Sequence, residues 1–192
     1  MTITYQGDNY FKVQSGDNVI LIDPTNARSL KNATAVIFTT MPPTSSIESN
    51  LIVQHQGEYE TKGIRIDGWS SRTGQEEKGD DVEKTIYRIR LDDISIGVLG
   101  HINKEIDPKL LIPLTGCDIV LAPAGGAPYL AASSIAKLIR QIEPSIIIPS
   151  LFKDPKPFFK ELGAGEVSKE EKLTIKKKDL VPHAMKVVLL SS

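Results

Sequence analysis

The chain has 192 residues, and 23 Lys+Arg against 24 Asp+Glu leave a formal net charge of −1 at pH 7, which excludes a polybasic nucleic-acid or membrane-surface protein as the expectation. One cysteine, Cys117, excludes an intrachain disulfide and a cysteine-rich zinc site, and three isolated histidines, His55, His101 and His183, exclude HxH and HExxH metal motifs. No apolar run approaches the roughly 18 residues that span a bilayer, and the opening MTITYQGDNYFKV lacks the basic and apolar regions of a signal peptide. The expectation is one cytoplasmic domain over residues 1–192.

Short β-branched and aromatic runs separated by turn residues predict strands at 3–5, 10–14 and 19–22, with turns at Gln6-Gly7-Asp8-Asn9 and Ser15-Gly16-Asp17-Asn18 and a stop at Asp23-Pro24. Ala35-Val36-Ile37-Phe38 is apolar without alternation, as in a strand covered on both faces. It ends at Thr39-Thr40-Met41-Pro42-Pro43, where two prolines remove backbone donors and force a loop. Gly57-Glu58-Tyr59-Glu60 reads as a turn, 64–69 as a strand and the aperiodic polar stretch 70–83 as a long loop. Strands follow at 85–91 and 94–99, joined by a tight turn at Asp92-Asp93.

From Pro108 helices alternate with strands. A short helix is predicted over 109–114, a buried strand over 119–122, and an amphipathic helix over 130–142 with Ile135, Leu138, Ile139 and Ile142 on one face. A second buried strand covers 146–149, a short helix 155–162 ends at Gly163, Ser168-Lys169-Glu170-Glu171 has the form of a capping box, and 186–190 is a closing strand. The pattern is two β-rich layers with helices outside.

The opening ITYQGDNYFKV and VILIDP, then 35–39, GEYETKGI at 57–64, 86–89, IGVLG at 96–100, DIVLAPAGG at 118–126 and EPSIIIP at 143–149 together resemble the metallo-β-lactamase fold superfamily, in its small hydrolase-like branch. The resemblance covers nearly the whole chain and implies an α/β fold, a four-layer αββα sandwich. It also implies a two-metal site made from H-x-H-x-D-H, a further His, a bridging Asp after an L-G strand end and a last His, whose ions lower the pKa of a bound water and polarise the scissile bond. In this sequence Thr40, Pro42, Thr44 and Ser45 stand in the first slots, the further His slot falls near Arg72 or Thr73, His101 replaces the bridging Asp, and Leu151 takes the last slot, followed by Phe152. Proline and leucine side chains bind no divalent ion and neutral hydroxyls bind one poorly, so the metal-ligand motif is expected to be lost, with no metal and no other cofactor.

His101 is the candidate catalytic residue, because an imidazole at a strand end can act as a general base or bind an anion near neutral pH; alternatively it bonds a backbone carbonyl and packs its loop. Thr40, Thr44, Ser45 and Thr73, together with Asp23, are the candidate cleft residues. A Ser or Thr nucleophile would need His101 as its base, and no GxSxG elbow supports one. Asp23 is expected to brace the loops by hydrogen bonds. Gly125-Gly126-Ala127-Pro128 could cradle an anion through backbone amides, or reflect close backbone packing. Lys176-Lys177-Lys178, countered by Glu170, Glu171 and Asp179, reads as a solvated face. His55 and His183 fall outside the ligand slots. These readings lead to a pseudoenzyme, a non-catalytic protein that binds a small molecule or a protein, with no nucleic-acid or membrane partner and a homo-oligomer open as its assembly. The alternative is a diverged hydrolase using His101 with cleft hydroxyls or an atypical metal site.

Overall fold

A computed structural model describes residues 1–25, 30, 32–41, 51–71, 83–165, 167 and 169–192. Its strands in chain order begin with Thr2–Tyr5 (β1), Phe11–Ser15 (β2), Asn18–Ile22 (β3), Ala35–Ile37 (β4) and Ile52–Val53 (β5). Gly57–Thr61 (β6), Ile64–Ser70 (β7), Thr85–Leu91 (β8), Ile94–Val98 (β9), Ile119–Pro123 (β10) and Ile146–Ser150 (β11) follow. The last are the two-residue strands Lys169–Glu170 (β12), Leu173–Thr174 (β13), Lys186–Val187 (β14) and Leu189–Leu190 (β15). Two helices, Ala132–Ile142 (α1) and Lys156–Leu162 (α2), join a 3₁₀ helix at Pro108–Leu114.

The strands form one sheet in the order β13-β1-β2-β3-β4-β5, a second in the order β14-β11-β10-β9-β8-β7-β6, and a small β12-β15 pair. Period-two alternation turns Ile3, Phe11, Val13 and Ile20 of the first sheet toward Ile66, Ile89, Ile96 and Leu121 of the second, which makes the central core. On the far side of the second sheet, Val120 and Ile147 are covered by Ile135, Ile139 and Ile142 of α1, Phe158 of α2 and Leu114. The matching face of the first sheet packs Leu21 and Val36 under Tyr10, Leu30 and Phe38. Among the described residues no α-helix lies on that face, and no helix is long and apolar enough to cross a membrane.

The long predicted strands and both helices appear within a residue or two. Four details differ for physical reasons. Residues 57–60 belong to edge strand β6, not a turn: GEYET has no apolar stripe because an edge strand with exposed Glu58 and Glu60 needs none. The short helix begins one residue earlier than predicted, at Pro108, and is 3₁₀ in form, with Asp107 capping it by accepting from the Lys109 N–H at 2.8 Å. Lys169 and Glu170 do not open a helix; they pair in parallel with β15. The closing strand divides, with β14 on β11 and β15 on β12. Most of the long loop predicted at 70–83 lies outside the described residues.

β3 runs parallel to β4, and β9 and β11 each run parallel to β10. Parallel strands carry their carboxyl ends to one side, and those ends deliver Asp23, Thr39, His101 and Leu151.

Candidate functional site

β3 stops at Asp23, which takes a left-handed φ of 45° and donates its N–H to the Ile37 carbonyl at 2.8 Å. Its carboxylate, 8 % exposed, turns inward. Oδ1 accepts the Thr39 backbone N–H at 2.7 Å, and Oδ2 accepts the Thr39 hydroxyl at 2.6 Å and the Asn9 Nδ2 at 2.5 Å. Asn9 Oδ1 in turn accepts from Ser150 Oγ at 2.7 Å, which ties the end of β11 into the same network.

The Thr39 hydroxyl also lies 2.7 Å from Nδ1 of His101. A hydroxyl has one proton; with that proton given to the ionised Asp23, Thr39 Oγ1 accepts from an Nδ1–H of His101. Nδ1 is 3.6 Å from Asp23 Oδ2, so the threonine bridges the imidazole and the carboxylate. Nε2 is the nitrogen not committed to Thr39, on a side chain 19 % exposed. Gly100 permits this approach: its φ is 59°, and a Cβ there would stand 2.4 Å from the Thr39 Cβ. Tyr129 meets the imidazole edge-on, with ring centroids 5.8 Å apart.

On the other side of Thr39, its carbonyl accepts from the Thr85 N–H at 3.0 Å, so the chain at 39–40 runs beside the start of β8. Lys84 then places its ammonium on Thr40 Oγ1 at 3.0 Å. The last ligand slot holds Leu151, buried, with φ 52° and its N–H on the Asp8 carbonyl at 2.8 Å. Gly125 packs against it so closely that a Cβ would lie 2.1 Å from the Leu151 carbonyl oxygen, which accounts for the Gly-Gly turn by backbone contact.

Burial raises the Asp23 carboxyl above its ordinary value, against the opposing pull of the His101 charge and the Thr39 and Asn9 hydrogen bonds. Burial likewise lowers His101; Asp23 and, more weakly, Asp8 oppose that shift, and Lys84 adds to it. At neutral pH the imidazole is therefore predominantly neutral; with Asp23 ionised and Thr39 donating to it, the ring proton lies on Nδ1 and the lone pair on Nε2.

These residues do not fit the metal centre that the sequence resemblance implies. Both Asp23 oxygens are occupied by donors, His101 Nδ1 faces Thr39, the last slot is a buried alkyl group, and the Thr40 oxygen already carries an ammonium that would repel a cation. No group of three His, Cys, Asp or Glu side chains suited to a metal is found among the described residues.

Of the candidate residues, His101, Asp23 and Thr40 are brought to the same strand ends; Thr44, Ser45 and Thr73 lie outside the described residues. His101 bonds a threonine hydroxyl, in place of the backbone carbonyl that one sequence reading assigned to it. Thr39, fully buried and committed to Asp23, is not a free nucleophile. His55 is exposed, His183 faces Glu143 Oε2 at 3.4 Å, and Lys177 is paired with Asp118 at 2.8 Å. Sequence reasoning missed Asn9, Lys84, Tyr129 and Ser150. A lysine one residue before a predicted strand was visible, but nothing in the sequence aimed it at Thr40.

A family model described as the beta-lactamase superfamily domain matches residues 2–150. No curated protein matches the chain in sequence. Among solved structures, a protein from Thermotoga maritima assigned as a Zn-dependent hydrolase of the metallo-β-lactamase superfamily superposes with a TM-score of 0.80 at 19 % identity, over 98 % of this chain and 97 % of that one. The metallo-β-lactamase fold protein YhfI from Bacillus subtilis gives 0.67 at 9 % identity, over 98 % and 95 %. A metallo hydrolase from the archaeon Ignicoccus hospitalis gives 0.64 at 17 % identity, over 91 % and 99 %. At these identities the structural likeness carries the fold alone. The family match spans most of the chain and agrees with the sandwich: the chain belongs to the beta-lactamase superfamily.

Proposed function

We propose that the strand-end cleft is a metal-independent binding site for a small molecule, in a protein that has left two-metal hydrolysis. The observation that supports this is the hydrogen-bonded series Asn9–Asp23–Thr39–His101, which occupies the carboxylate and one imidazole nitrogen with each other. Recruiting Asp23 to a metal would strand the buried Thr39 and Asn9 donors, at about 1–3 kcal/mol for each group left unsatisfied. Equilibrium dialysis of the purified protein against Zn, Mn and Fe, followed by elemental analysis, is expected to find substoichiometric metal that His101→Ala does not change. A full equivalent of metal per chain, lost in His101→Ala, would overturn the proposal.

The Thr39 bridge favours a second reading. A buried carboxylate acting through a hydroxyl holds His101 in the Nδ1–H tautomer and leaves Nε2 as a base toward water, which suits a diverged hydrolase. A panel of esters, phosphoesters and lactams, run metal-free with wild type and His101→Ala, separates the two. The binding proposal expects no turnover that depends on His101, and reproducible His101-dependent turnover would replace it with the hydrolase reading.

A further inference from the structure

Resting on that binding reading, we infer that the cleft ligand carries an oxyanion, a phosphate or carboxylate group, received by the Lys84 ammonium and the Thr40 hydroxyl beside His101. The inference follows from which donors and acceptors remain at the cleft. The Asp23 carboxylate is turned inward, 8 % exposed with both oxygens bonded to Asn9 and Thr39, while Asp8, the other carboxylate acting on His101, is exposed. The donors stay at the part-exposed face. Lys84 Nζ has three N–H groups and gives one to Thr40 Oγ1 at 3.0 Å. Because Thr40 accepts there, its own proton is left to point elsewhere. Ammonium and hydroxyl thus act as a pair, the first orienting the second, and the chemistry they complement is an acceptor-rich group of negative charge.

The backbone explains why the lysine stands there. Thr39 O and Thr85 N are bonded at 3.0 Å, so Lys84 and Thr40 are held side by side at the slot where the wider fold family begins its metal ligands. A positive charge returns to that place on a side chain. His101 joins as a second contact through Nε2: a bound anion favours its protonated form and turns that nitrogen from acceptor into donor. The charged and titratable groups acting on His101 are Asp23, Asp8 and Lys84, with the Tyr129 ring against its edge.

A polar cleft of about 630 Å³ elsewhere on the molecule makes a useful contrast. It is lined by Arg65, Arg90, Asp118 and Lys177 among others, yet Lys177 is paired with Asp118 at 2.8 Å, and Arg65 and Arg90 are paired with Asp67 at 3.1 and 2.7 Å. Its cations already have carboxylates, whereas among the described residues the Lys84 ammonium rests on a neutral hydroxyl.

The test is a titration of the full-length ¹⁵N-labelled protein with inorganic phosphate and, separately, acetate at constant ionic strength, following the imidazole and backbone resonances. At least one anion is expected to bind saturably and to shift His101 and Thr40. Lys84→Gln should weaken that binding about tenfold or more, the equivalent of losing a charge-assisted hydrogen bond. Lys84→Arg should retain it in large part, and Lys177→Gln should not change it. Lys84→Gln alters a part-exposed side chain, so an unchanged thermal midpoint checks that the fold is intact. Should that variant unfold, Thr40→Val replaces it and is expected to weaken binding several-fold. Two results overturn the inference: neither anion saturates, or saturation is indifferent to both Lys84 and Thr40. The dialysis experiment keeps the failures apart. Stoichiometric metal held by His101 removes the binding proposal itself, while a metal-free protein that binds neither anion removes the oxyanion inference alone.

Discussion

Asp23 and Asp67 are both buried carboxylates, 8 % and 3 % exposed, and the sandwich stabilises them by opposite means. Asp67 lies on β7 among three guanidinium groups: Arg65 Nε at 3.1 Å, Arg88 Nη2 at 3.2 Å and Arg90 Nη2 at 2.7 Å. Burial pushes its carboxyl up, but the arginine hydrogen bonds and charges together outweigh burial and hold it below the ordinary range. Asp23 is surrounded by neutral donors and one titratable imidazole, and for it burial wins. A carboxylate among permanent cations is a fixed structural charge. One among neutral dipoles and an imidazole responds to protons and ligands, the setting in which perturbed groups mark a functional site.

The largest effect is expected at the structural aspartate. Asp67→Asn removes the charge that three arginines share and leaves them facing one another, and Arg88 Nε and Arg90 Nε already lack partners among the described residues. The expected loss is about 3 kcal/mol by urea unfolding, the lower end for breaking a buried pair, because the guanidinium groups reach solvent. The His101 imidazole resonances should not move. A loss under about 0.5 kcal/mol would put the cluster in the class of screened surface pairs.

Asp23→Asn is the matching change at the cleft. The new amide cannot accept from all three donors, so about 2 kcal/mol should be lost, again by urea unfolding. Here the imidazole resonances must change, because the Thr39 hydroxyl is released from the carboxylate and can donate to Nδ1. Unaltered His101 resonances would mean that the threonine bridge does not couple the two groups.

The difference between the aspartates also marks what could be read from the sequence. Runs such as Ala35-Val36-Ile37 and Ile146-Ile147-Ile148 announce buried parallel strands because both faces need apolar cover, and the strand order then brings Asp23 and His101 to one side. The strand ends at Thr39, Gly100 and Ser150 were legible for the same reason, being local signals. β6 was not legible, since an exposed edge has no apolar alternation to display. The Ser150–Asn9 bond joins residues 141 positions apart, and the Lys84–Thr40 bond spans 44. Contacts of that kind follow from register between distant strands, and no single segment encodes them.

Gly100→Ala sharpens the comparison by straining the bridge without removing a polar atom. A Cβ would stand 2.4 Å from the Thr39 Cβ at a φ of 59°, so Thr39 and His101 must separate. About 1.5 kcal/mol is the expected cost, with a change in the tautomer signature of the imidazole ¹⁵N shifts. A stability loss with unchanged tautomer shifts would show that Thr39 does not set the proton on Nδ1.

The finest discrimination comes from the pH dependence of stability, taken as wild type minus variant so that other groups cancel. The His101 value is depressed from 6.5 in the folded chain, so on acidification below 6.5 the unfolded chain takes up this proton first. Wild type minus His101→Gln should therefore fall as the pH drops through that window. The Asp23 value is raised above 3.8, so the folded chain protonates first, and wild type minus Asp23→Asn should rise as the pH falls toward 3.8. The Asp67 value is depressed below 3.8, and its difference curve should fall only as the pH drops below 3.8. Opposite slopes for the two aspartates are what separates a proton-responsive carboxylate from a structural one. If the Asp23 curve instead fell on acidification as that of Asp67 does, the Asn9 and Thr39 donors would outweigh burial, and Asp23 would be a second structural charge.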